Sequence, residues 1–419
     1  MIPVQEAQSI VRAQCACLES EHVLLRDCAG RVLARTTMSP VDLPPFDNSA
    51  MDGFALRCAG STLRAGAEFV VQGEQAAGDA ASSADGHGAW EIMTGARLPD
   101  GLDAVVPIEQ IEVLARDGMQ RPSHIRLSAD VVAGQHVRRA GEDISRDEVA
   151  LRAGSWLTPS HALLAAGLGF ATLEVVRRPL VAVLCTGREL VDDPTQALRP
   201  GQIRNSNGVF LALRLAAAGA DVVWQETVPD EPETFLAAVQ RALRAGAELV
   251  LSTGAVSMGR YDFVPPALQS IGAQILFHKL AMRPGKPLLF ARLREGPLYL
   301  GLPGNPVSAA VGLRFFVEAA LRVQLGLPEE RGWRLPLAHE VRKKPGFRLK
   351  QKARLQLSAD GRWSVGLLRG QESFRTQPLL AANAWASLPE AEEFLPAGSE
   401  VEVYALGHEM NLMLGEQSA

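Results

Sequence analysis

Four short segments of this chain concentrate residue types that handle phosphate and metal ions: TGREL at 186–190, PDE at 229–231, STGAVSMGRYD at 252–262 and GLPGN at 301–305. Three of them supply a carboxylate, Glu189, Asp230 and Asp262, hard oxygen donors of the kind that hold Mg²⁺ beside a phosphate. Two supply glycine pairs, Gly254 with Gly259 and Gly301 with Gly304, whose bare backbones let N–H groups approach an anion. A fifth segment, RPGKP at 283–287, sets Arg283 and Lys286 on a proline-stiffened turn, as cations for the same anion. Each has a plainer reading. Glycine turns after strands are often only turns, and Asp230 and Asp262 suit helix N-caps. Convergence favours a site, because independent caps and turns need not gather at one edge of one sheet.

The elements around these loops explain why they should gather. From residue 177 the pattern is strand, glycine loop, helix, repeated. Strands are expected at 180–185, 221–228, 248–252 and 298–302, with helices at 207–218, 231–245 and 306–325. The run at 180–185 is continuously apolar, as in a strand buried on both faces. Such alternation predicts a doubly wound parallel α/β domain over 177–325, with its ligand beyond the carboxyl ends of the strands.

At 419 residues, the chain exceeds one ordinary core. Residues 1–20 and 136–176 read as a helical stalk, with Thr158 capping a helix that Pro159 starts, packed against the N-terminal helix. Short alternating runs broken by Gly, Pro and Asp make 21–135 an inserted β-rich module. Within it, 42–54 (DLPPFDNSAMDGF) is too rich in breakers for a strand and reads as an ordered polar loop carrying Asp52. A second turn, MTGA at 93–96, carries Thr94. Residues 333–406 read as a small C-terminal β domain after a linker.

The composition is 47% apolar and 21% charged, with a net charge of −5, which fits a soluble globular protein and gives no global pull toward nucleic acid or anionic membrane. Five scattered cysteines and eight scattered histidines fit neither a disulfide framework nor a structural zinc site. No stretch is long enough for a membrane span, and the polar start reads as a surface helix, so the cytoplasm is the expected location.

The stretches PPFDNSAMDGFAL, EIMTGARLPDGLDAVVPIE, RRAGEDI, TGREL, STGAVSMGRYDFV, RPGKPLLF and GLPGNPVSA occur in this order. Together they resemble the molybdopterin molybdenumtransferase family, the bacterial MoeA and gephyrin E-domain relatives, over about residues 1–406. The resemblance implies an elongated four-domain homodimer with its cleft between the α/β domain of one subunit and the β module of the other. It implies that adenylylated molybdopterin is cleaved, AMP released and molybdate joined to the pterin dithiolene, with Mg²⁺ or a similar divalent ion assisting. By motif position, Asp52, Thr94, Glu189, Asp230 and Asp262 match the family's catalytic polar residues, the last three as metal ligands. Gly254, Ser257, Gly259, Lys286, Pro303, Gly304, Asn305, Pro306 and Ser308 match its pterin and molybdate pockets, and Ser373 with Arg375 a serine–arginine segment associated with molybdate. The molybdopterin adenylyltransferase and acceptor molybdoenzymes are the implied partners.

The chain departs from the family at Arg188 and Arg260, where acids are usual, and at Ala255, Arg283 and Lys352. The exchanges at Arg188 and Arg260 motivate one rival, a non-catalytic carrier of molybdopterin; a second is an insertase specialised for one class of molybdoenzyme or a modified cofactor.

Overall fold

The computed structural model describes residues 1–413 except 81, 85, 86, 257–262 and 295. The centre of the fold is a six-stranded sheet in the order Asp221–Val228, Leu180–Thr186, Leu249–Thr253, Leu298–Leu302, Leu289–Arg292, Gln274–His278. The first three pairings are parallel. Alternation along Leu180–Thr186 sends Val181, Val183 and Cys185 to one core and Ala182 and Leu184 to another. Helices close both faces. Leu211 and Leu215 of Ser206–Ala217 pack on the first core, Phe235 and Val239 of Pro232–Arg244 on the second.

The last two strands depart from the expected parallel order: Leu289–Arg292 and Gln274–His278 both run antiparallel to their neighbours. The reason is chain length. Only residues 293–297 separate Leu289–Arg292 from Leu298–Leu302, and a parallel return needs a crossover of roughly a dozen residues or more. Between Gln274–His278 and Leu289–Arg292 the chain makes an excursion carrying Arg283 and Lys286. There Met282–Arg283 leaves the central sheet and pairs in parallel with Arg348–Leu349 at the start of Arg348–Leu357, a long strand of the C-terminal sheet. That sheet continues through Ala384–Leu388 and Glu400–Ala405 to Trp333–Pro336, with Trp363–Leu367 paired to Arg348–Leu357.

The helix predicted over 306–325 is continuous but not uniform: Pro306–Gly312 and Glu318–Gln324 are joined by a π-turn at Leu313–Val317. The N-terminal helix Val4–Ala13 buries Val4, Ala7 and Val11 in the first central core. The helix Pro159–Gly167 lies instead in a separate cluster with Cys28, Leu33 and Leu173, so these two helices do not share the core expected for them. A six-stranded sheet that includes Gly53–Leu56, Glu68–Gln75 and Pro122–Leu127 is inserted between the paired strands Thr37–Met38 and Val149–Leu151. Among the described residues, no helix is long and apolar enough to cross a membrane.

Candidate active site

The carboxyl ends of the parallel strands open into a cleft of about 680 Å³, lined in part by Glu189, Asp230, Gly254, Pro303, Gly304, Asn305 and Pro306. Gly254 has φ +93°, and a Cβ there would lie 2.6 Å from Thr186 Oγ1 and 2.8 Å from the Thr186 carbonyl oxygen, so only glycine fits. Gly304 lies against it, since a Cβ on Gly304 would sit 3.7 Å from the Gly254 Cα. One expectation fails: the Gly254 N–H is spent on the Leu302 carbonyl at 3.1 Å. This glycine grants close approach, not a donor. Its neighbour Ala255 holds φ +51°, a left-handed conformation that a Cβ disfavours.

Two carboxylates stand at this cleft. Glu189 folds its oxygens over Gly187, where an added Cβ would meet them at 2.8 Å. Asp230 Oδ2 accepts the Arg188 N–H at 3.4 Å. Neither acid forms an ion pair among the described residues. Two carboxylates facing one space suit a hard divalent ion, although Arg204 stands in the same lining as a cation. The Arg188 side chain is exposed and outside the lining, so its positive charge does not enter the cleft. The third expected ligand, Asp262, lies with Ser257, Gly259 and Arg260 outside the described residues.

A second space of about 530 Å³ adjoins the first, with Pro287 in the wall of both. Its lining holds Arg283, Lys286, Arg342, Lys343 and Lys344, together with Ser308 and Ser373, and no carboxylate among the described residues. It straddles the junction where Met282–Arg283 pairs with Arg348–Leu349. The Arg283 guanidinium sits 4.2 Å from the Phe347 ring centroid, a cation–π contact that limits its freedom. Lys343 donates to the carbonyls of Phe347 at 3.4 Å and Glu390 at 3.3 Å, and burial holds its amine below the ordinary lysine range. Ser373 reaches this space on a loop fastened at both ends. Its carbonyl accepts the Val307 N–H at 3.0 Å, and the Lys352 ammonium donates to the Arg375 carbonyl at 3.0 Å.

Arg375 is not brought to this cavity. Its guanidinium pairs with Glu372 at 3.1 Å, is half exposed and does not line the cavity, while its carbonyl accepts from Lys352. Asp52 and Thr94 are brought together but do not line the cleft. Asp52 Oδ1 accepts the Thr94 N–H at 2.6 Å and its hydroxyl at 2.8 Å, and these bonds hold the carboxyl below its usual range.

Sequence reasoning passed over Asn205, whose Oδ1 caps the helix Ser206–Ala217 by accepting the Gly208 N–H at 2.9 Å, and Asn207, whose Nδ2 donates to the Gly304 carbonyl at 2.7 Å. The run of Asn and Ser before that helix was the available signal. The basic run Arg342-Lys343-Lys344 was equally visible, yet a charge run alone reads as solvated surface.

Three family models match successive parts of the chain. A family model described as the MoeA N-terminal region (domain I and II) matches residues 2–169, one described as a probable molybdopterin binding domain matches 182–323, and one described as the MoeA C-terminal region (domain IV) matches 334–406. A molybdopterin molybdenumtransferase of Synechococcus elongatus is 40% identical over 395 residues, 93% of this chain and 95% of that protein. Molybdopterin molybdenumtransferase 2 of Mycobacterium tuberculosis is 36% identical, over 97% of this chain and all (100%) of its own length. The crystal structure of a molybdopterin biosynthesis MoeA protein from Pyrococcus horikoshii OT3 superposes with a TM-score of 0.80 at 26% identity, covering 97% of this chain and 100% of that one.

Proposed function

The chain belongs to the molybdopterin molybdenumtransferase family, and from that membership we propose that it cleaves adenylylated molybdopterin, releases AMP and joins molybdate to the pterin dithiolene. The observation that carries this reading is the contact of an acidic cleft with a basic cavity at Pro287. A pyrophosphate-linked substrate and a free oxyanion make different electrostatic demands, and a carboxylate-bearing cleft that also holds Arg204, adjoining a wholly basic cavity, suits both.

Glu189 and Asp230 would hold the Mg²⁺ or similar ion, with Asp262 as a third ligand. When bound, the ion supplies positive charge to offset the pyrophosphate oxygens. The Gly254–Gly304 contact lets the ligand come close to main chain, and Asn207 fixes the Gly304 carbonyl. In the basic cavity Arg283 and Lys286 take the oxyanion from one wall, and Arg342, Lys343 and Lys344 from the other. The Ser308 and Ser373 hydroxyls supply neutral donors beside them. Asp52 and Thr94, already bonded to one another, enter from a second copy of the chain to complete the cleft of a homodimer. The protein works in the cytoplasm, taking substrate from the adenylyltransferase and passing product to acceptor molybdoenzymes.

The test is to incubate purified protein with adenylylated molybdopterin, molybdate and Mg²⁺ and to measure AMP. Molybdate-dependent AMP release is expected. Tight pterin binding without it would replace the enzyme reading with that of a carrier.

A further inference from the structure

The strand Arg348–Leu357 separates two cavities. Alternate side chains point to opposite faces of a strand, so Leu349 and Gln351 line the basic cavity, while Arg348 and Lys350 line a different space of about 330 Å³. This space is lined by the N-terminal helix, the π-turn Leu313–Val317, the segment 327–334 and the strand Glu400–Ala405. It shares no lining residue with either part of the candidate active site.

Most charges around it are already matched. Arg314 bonds both carboxylate oxygens of Glu330, Arg348 is held by Glu390 and Glu402, and Arg12 pairs with Glu329. Lys350, also buried, is bonded to no carboxylate among the described residues. It is 2% exposed, and its ammonium donates to one acceptor among the described residues, Ser387 Oγ at 3.0 Å. It lies 3.8 Å from the Phe315 ring centroid and 4.7 Å from that of Tyr404. An ammonium has three donors, so two here face rings and cavity without an oxygen, a costly arrangement for a buried cation. Burial accordingly pushes its pKa down to about 7, with the neighbouring Arg348 and Arg314 opposing its charge and Glu402 and Glu330 favouring it.

We propose that this cavity is a second binding site, for a small molecule bearing a phosphate or carboxylate headgroup that takes the two unspent donors of Lys350. The space suffices for a small ligand, and the two rings give its apolar part a surface. The wall is a π-turn, an irregularity that helices retain most often where they serve a function. Arginines also line the space, but Lys350 is its buried lysine, which gives the assignment a single residue to test.

The experiment uses the full-length protein and inorganic phosphate, followed by isothermal titration calorimetry. Because phosphate also suits the basic cavity, the first variant is Arg283→Ala/Lys286→Ala. It is expected to retain one phosphate site per chain. Adding Lys350→Met, which keeps the shape and removes the charge, should weaken that remaining site by at least about tenfold, the effect of losing ~1.4 kcal/mol of charged hydrogen bonding. Unchanged affinity after Lys350→Met, or no phosphate site left in the first variant, overturns the proposal. Should Lys350→Met not fold, soaking wild-type crystals in selenate gives an independent answer. An anomalous peak beside Lys350 Nζ supports the site, and peaks confined to Arg283 and Lys286 refute it.

Discussion

Replacing Lys352 with methionine separates what a buried cation does for the whole fold from what it does for one loop. Lys352 is 0% exposed, and its ammonium donates to the Arg375 carbonyl at 3.0 Å and, more weakly, to the Glu372 carbonyl at 3.4 Å. Burial pushes its pKa down, so part of what its hydrogen bonds contribute is offset by desolvation. The methionine variant loses both terms together, and its global stability should change by no more than about 1 kcal/mol. The loop feels the hydrogen bond alone, which from a charged donor is worth about 1.5–3 kcal/mol. Gln371 still braces the far end, accepting the Lys352 N–H at 2.9 Å and donating to the Lys352 carbonyl at 2.8 Å. Opening of residues 372–375 should therefore become roughly 10–100-fold more frequent. The reporter is the Val307 amide, whose acceptor is the Ser373 carbonyl at 3.0 Å. Hydrogen exchange measured by NMR should show Val307 accelerated by that factor, with Leu251 in the central sheet unchanged. If Val307 keeps its rate while the melting temperature collapses, Lys352 is a packing residue and the fastening of the Ser373 loop lies elsewhere.

Ala255→Gly should raise stability by about 1 kcal/mol, because glycine adopts φ +51° without the Cβ conflict; chemical denaturation showing a loss would mean that chain freedom outweighs strain. His408 is fully buried, its Nε2 3.0 Å from the Ala218 carbonyl, and burial lowers its pKa from 6.5 to about 4. The folded state then binds fewer protons than the unfolded state between those values. Its contribution, on the order of 3 kcal/mol, is present above pH 6.5 and lost as pH falls toward 4. Melting curves of His408→Phe should be distinctly less pH-dependent over that window; parallel curves for variant and wild type would contradict this. Finally, Asp52→Ala and Lys286→Ala should each abolish AMP release alone, yet mixed dimers should recover a substantial fraction if the cleft is shared. Inactive mixtures would count against a cleft shared between subunits.

The parts of the fold set by local pattern were readable from the chain. Strands 221–228 and 298–302 fall where their apolar runs place them, and Gly219 and Gly246 stop their helices as glycine at positive φ does. The hairpin Leu289–Arg292 escaped notice because four residues carry little periodicity, and only its short connection to the next strand dictates its direction. In the site, Glu189, Asp230 and Gly304 reach one cleft because strand-end loops converge by topology. Arg342 and Lys344 reach the basic cavity through the pairing of Met282–Arg283 with a strand more than sixty residues away along the chain. No local pattern announces such a pairing. The failed donor role of Gly254 belongs to the same class, since it depends on Leu302 of another strand.

That pairing at Met282–Arg283 has a mechanical consequence. The basic cavity owes one wall to the central sheet's excursion and the other to the C-terminal sheet, and the two bodies are tied at further points: Val307 to the Ser373 carbonyl, Arg314 to the Ala405 carbonyl, and Trp385 in one core with Phe315. The spacing of Arg283 and Lys286 from Arg342 and Lys344 is thereby set by packing, so the positive field between them is built into the fold in advance.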